Sequence, residues 1–148
     1  MCVPDNKKDS PPAPSIHNIP VTPLVIQQRA PSDSEKEFFN KSKIPGYAAE
    51  DNRIVMNPND LPGVNKNAVK QNEALRIYVR KTKPDLPDLT DEQKKKIASN
   101  PIYSKADPYD QKATILGRIA SGDPSGGKPS KEQEDFVKKA VKKFRIED

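Results

Sequence analysis

Apolar positions recur with helical spacing in three stretches of the chain. From about 65 to 82, Ala68, Leu75 and Val79, with the polar Asn72 in the same register, fall at steps of four, three and four, and Val69, Ile77 and Tyr78 widen the stripe. From 108 to 121, Tyr109, Ala113, Leu116 and Ala120 repeat that spacing, with Ile115 and Ile119 beside them. From 130 to 144, Phe136, Val137, Ala140, Val141 and Phe144 share one side, against charged residues elsewhere. Punctuation agrees with these spans. Pro84 disfavours helical geometry at Lys83 and ends the first. Asp107-Pro108 starts the second and Gly122 suits its left-handed cap. Thr90-Asp91-Glu92-Gln93 and Ser130-Lys131-Glu132-Gln133 both match the capping box, so a short helix is expected over 90–99 and the last one from 130. Gly117 sits mid-helix at a cost of about 1 kcal/mol against alanine, which predicts close approach of another helix.

Two stretches depart from this pattern. Residues 1–34 hold seven prolines, which disfavour both helix and central strand. Their apolar cluster, Ile19, Val21, Leu24, Val25 and Ile26, reads as the docking point of an extended arm on a partner. Arg53-Ile54-Val55-Met56 has β character but no evident mate, so it is expected as an extended segment laid across helices. Ser32 to Glu35 offers caps and early acids for a helix over about 33–41, anchored by Phe38 and Phe39. The fold class that follows is mainly α: a helical domain of about four helices over 33–148, with a flexible connector at 122–129. A disordered or partner-ordered Pro-rich arm over 1–32 precedes it. The expected core is Val69, Leu75, Val79, Leu116, Ile119, Phe136, Val137, Val141 and Phe144.

Composition restricts this further. Only 32% of the 148 residues are apolar, Trp is absent and sixteen are Pro, enough for one small core. Net charge is +5, and the basic excess lies in residues 61–148, which hold nineteen basic and thirteen acidic side chains. A single cysteine, Cys2, excludes an internal disulfide framework. No apolar run approaches the ~20 residues that span a bilayer, and no apolar block follows Lys7-Lys8, so a protein that is soluble and intracellular when it is made is expected.

Candidate chemistry is sparse. His17 lies in the Pro-rich stretch with no scaffold to orient it, and with Cys2 it cannot make a Cys/His zinc site. Glu50-Asp51 beside Tyr47 offers paired carboxylates of the kind a cell-wall hydrolase needs, although adjacent acids rarely face each other across a substrate. SGDPSGG lacks the Lys-Ser/Thr end of a phosphate loop. No catalytic, cofactor-binding or metal-ligating set results. The strongest functional lead is Lys138, Lys139, Lys142, Lys143 and Arg145, five cations that can track a phosphate backbone or simply solvate a helix face.

The runs GYAAEDNRIVMNPNDLPGVNKNAVKQNEALRIYVR and DQKATILGRIASGDPSGGKPSKEQEDFV are similar to a short module of small tailed-bacteriophage proteins. The resemblance covers roughly residues 45–138 and transfers no catalytic or binding residue. It implies phage origin and a virion component. The expected role is therefore a non-enzymatic structural or accessory protein of a phage particle, with other phage structural proteins as partners. The alternatives are a nucleic-acid-binding accessory protein using the basic C-terminal helix and a cell-wall hydrolase.

Overall fold

A computed structural model describes residues 22–148. Among them are five α-helices and a four-stranded mixed sheet, so the fold is α/β and the expectation of a mainly α protein is wrong. In chain order the elements are β1 (Leu24–Arg29), α1 (Asp33–Ser42), β2 (Gly46–Ala48), β3 (Ile54–Met56) and α2 (Lys66–Thr82). They continue with α3 (Asp91–Ala98), α4 (Pro108–Ser121), α5 (Lys131–Ala140) and β4 (Phe144–Glu147). Short 3-10 turns lie at Tyr103–Lys105 and Pro124–Gly126.

The sheet runs β2-β3-β1-β4. β1 pairs in parallel with β3 on one side and β4 on the other, and β2 closes an antiparallel hairpin on β3. Leu24-Val25-Ile26, expected to dock on a partner, thus lies inside the chain's own sheet. Pro23 and Pro31 fall just outside the strand, where the missing N–H breaks no ladder bond. The lone β segment at Ile54–Met56 finds two mates, one on each side. Gly46 opens β2 where a Cβ would meet Met56 Sδ at 2.9 Å, the Val55 carbonyl at 3.1 Å and Val69 Cγ1 of α2 at 3.2 Å, so any larger residue there would have to push these neighbours aside.

The main core lies between one sheet face and the helices. Ile26, Ile54 and Phe144 meet Leu75, Tyr78 and Val79 of α2, Leu116 of α4 and Val137 of α5. Tyr78 and Phe144 stack with centroids 5.7 Å apart. Of the expected core, Leu75, Val79, Leu116, Val137 and Phe144 are buried; Val69, Ile119, Phe136 and Val141 are half-buried. A smaller cluster of Phe39, Ala49 and Val55, with Tyr47 against it, fills the other face where α1 covers it. At Gly117 the expected close approach is real: a Cβ would stand 2.3 Å from Asn72 Oδ1 and 3.2 Å from the Asn72 carbonyl on α2.

The capping boxes of α3 and α5 are joined. Gln93 Nε2 donates to Gln133 Oε1 at 2.8 Å and Gln133 Nε2 donates to Gln93 Oε1 at 2.7 Å. Each amide oxygen also accepts from its own N-cap backbone, Thr90 N–H at 2.8 Å and Ser130 N–H at 2.9 Å. Gln133 Nε2 reaches the Asp88 carbonyl at 3.1 Å as well. Both glutamines are fully buried, which their hydrogen bonds permit. The last helix stops at Ala140 rather than 144, and Lys142-Lys143 turn the chain into β4.

Candidate functional site

The densest group of ionisable side chains gathers where β1 ends. Arg29, the last residue of β1, forks onto Glu35, with Nη1 to Oε1 at 2.7 Å and Nη2 to Oε2 at 3.0 Å. Its Nε donates to Asp51 Oδ2 at 2.8 Å, in the β2–β3 turn. Glu35 is the third residue of α1 and completes a capping box, accepting the Ser32 N–H at 2.8 Å. Tyr47 of β2 donates its hydroxyl to Glu35 Oε2. Sequence logic grouped Tyr47 with Glu50 and Asp51. The structure instead gives Tyr47 to Glu35 and Asp51 to Arg29, and leaves Glu50 exposed.

These contacts set the titration of the group. The Arg29 guanidinium, the Ser32 amide and the Tyr47 hydroxyl together hold the Glu35 carboxyl well below the usual carboxylate range. Arg29 is driven above its already high value by Glu35 and then Asp51. Burial, then the bond to Glu35, pushes the Tyr47 phenol up to about 12. Glu35 is thus locked as an anion and has no proton to give as a general acid. The cluster fastens β1 and α1 to the hairpin, in the same place as the Phe39–Val55 contacts.

Glu73 of α2 differs. It is nearly buried, and burial raises its carboxyl above the ordinary value, opposed by Arg76, the Ala48 amide and Arg80. Arg76 Nη1 lies 3.5 Å from Glu73 Oε1. Arg80 is spent on the hairpin turn, donating to the Ala49 carbonyl at 2.8 Å and Asn52 Oδ1 at 3.2 Å. Among the described residues no group of three or more His, Cys, Asp or Glu side chains is placed to hold a metal ion, and no helix is long and apolar enough to cross a membrane.

The other sequence-derived sites separate. Ile19 and Val21 lie outside the described residues, as do Cys2 and His17. Leu24 and Ile26 face the core and Val25 faces solvent. The basic tract does not form one helical stripe. Lys138 and Lys139 stand on α5, Lys142 and Lys143 in the turn, and Arg145 on β4, where it pairs with Glu147 at 2.7 Å. All five are exposed. What sequence reading missed is β4 itself, an edge strand with its outer side unpaired among the described residues. The alternation in Phe144-Arg145-Ile146-Glu147 is the signal that could have found it. No family model, curated protein or solved structure matches the chain.

Proposed function

We propose that this chain is a non-enzymatic structural or accessory component of a bacteriophage particle, acting through protein–protein contacts. The observation that carries the reading is the open side of the sheet. Among the described residues β4 offers an unpaired backbone edge, and on that half of one face Val25, Gln27 and Arg145 are exposed and Glu147 is half-buried. Such an edge is a template for another chain. Ile19 and Val21 are the anchors left to the proline-rich segment once Leu24 and Ile26 are committed to the sheet. The resemblance to the phage module supplies the setting. Mass spectrometry of purified particles tests it: peptides of this chain at fixed ratio to the capsid protein are expected, and their confinement to the host lysate would overturn the role.

A second reading, nucleic-acid binding, is favoured by one observation. Among the described residues Lys138, Lys139, Lys142 and Lys143 form no salt bridge and all are exposed. Filter binding to duplex DNA at two salt concentrations decides it. An affinity that falls steeply with salt, and falls again when the four lysines become Gln, would promote this reading.

A further inference from the structure

We infer that two copies of this chain join through β4, antiparallel about Ile146, making one continuous sheet across the pair. The inference rests on the protein–protein reading above and names the partner. Leu24 pairs with Phe144, and its N–H donates to the Lys143 carbonyl at 2.8 Å. In a parallel ladder this turns the N–H and C=O of Arg145 and Glu147 toward β1. The alternate residues, Phe144 and Ile146, turn theirs outward, to the side that has no strand among the described residues. Side chains alternate too. Arg145 and Glu147 touch at 2.7 Å and so share the open face, while Phe144 and Ile146 pack toward the core.

A two-fold axis normal to the sheet sets open face beside open face and outward-pointing residues against each other. Registers centred on Arg145, Ile146 or Glu147 satisfy both conditions. The first sets Arg145 opposite Arg145, and the third sets Glu147 opposite Glu147. Only the register centred on Ile146 is complementary. It places Arg145 of each copy opposite Glu147 of the other, on both sides of an Ile146 pair that exchanges N–H···O=C bonds. Opposite charges directly across a strand pair stabilise it and like charges destabilise it. The strand as folded therefore holds the charges its own copy would need.

The test is sedimentation equilibrium of the full chain. With four residues a strand the pairing is weak, so the series should reach about 1 mM. The mean mass is expected to climb from 16.5 kDa toward twice that value. Arg145→Glu alone sets acid against acid, and Glu147→Arg alone sets base against base. Each variant should stay monomeric over the same series. An equimolar mixture of the two restores opposite charges at both contacts and should dimerise as the unaltered chain does, which also shows that both variants fold. A monomeric unaltered chain overturns the inference, including the case in which its own residues 1–21 cover the edge. So does a single variant that still dimerises, or a mixture that does not. A packaged but monomeric chain would sink the pairing alone; a charge-switchable dimer missing from particles would sink the virion role alone.

Discussion

Glu35 and Glu73 show how one residue type takes opposite roles. Glu35 has a folded-state value held below its ordinary 4.5 by Arg29, Ser32 and Tyr47. A depressed carboxylate stabilises the fold above its unfolded value, and that contribution is lost as pH falls from about 4.5 toward the folded value. Glu35→Gln should therefore cost about 2 kcal/mol at neutral pH, the scale of hydrogen bonds to a charged group. The gap between variant and unaltered protein should close on acidification; urea melts at pH 7, 4 and 3 check both statements. Glu73 carries the reverse sign. Its raised value marks stability present below 4.5 and lost as pH rises through the folded value. Glu73→Gln keeps the shape and removes the charge, so it should stabilise at pH 7 and change little at pH 4. A Tm series over pH would show this, and a loss of stability at pH 7 would refute it.

At the scale of elements, the two capping boxes matter more joined than apart. Each is a local device that starts a helix, legible from four residues. Their glutamines then turn inward and exchange amide bonds, tying the starts of α3 and α5 into one buried joint. Gln93→Ala removes both amide bonds between the two glutamines, leaving the buried Gln133 only the Ser130 N–H and the Asp88 carbonyl, and should cost about 1–3 kcal/mol beyond the lost cap. The same change made after Gln133→Ala should cost less, because the bonds between the two glutamines are already gone. A double-mutant cycle by chemical denaturation should thus return a coupling energy of about 1 kcal/mol or more; strict additivity would mean the joint contributes nothing. Gly117 belongs to this scale also. The helix tolerates it because α2 lies so near that Asn72 occupies the space a Cβ would take.

At the scale of the molecule, the sheet ties together the two ends of the described chain. β1 opens it and β4 closes it, and they pair along four residues. No local turn links them, so their pairing is a contact of long sequence separation, which favours slow folding. Phe144 packs on Tyr78 beneath this joint. Phe144→Ala should cost about 3–5 kcal/mol, as deletion of a buried aromatic does. Removing residues 144–148 should do more. It strips β1 of a neighbour and uncovers Ile26, so cooperative unfolding in urea, followed by circular dichroism, should be lost. Persistence of a sharp transition in the truncated chain would show that the helices suffice alone.

By itself the sequence determined the helices. Their apolar steps, capping boxes, Asp-Pro start and Gly122 stop are local signals, and α1 to α4 lie close to where those signals put them. Tertiary structure decided everything that depends on a partner distant in the chain. A strand's ladder bonds are satisfied by another strand, so Leu24–Arg29 between two prolines reads as an arm until β3 and β4 are seen beside it. The same reason moved Phe144 from helix to strand, gave Tyr47 to Glu35 instead of its neighbours, and scattered the C-terminal cations over three elements. A side chain's charge is written in the sequence, but what that charge meets is set by which segments the core brings together.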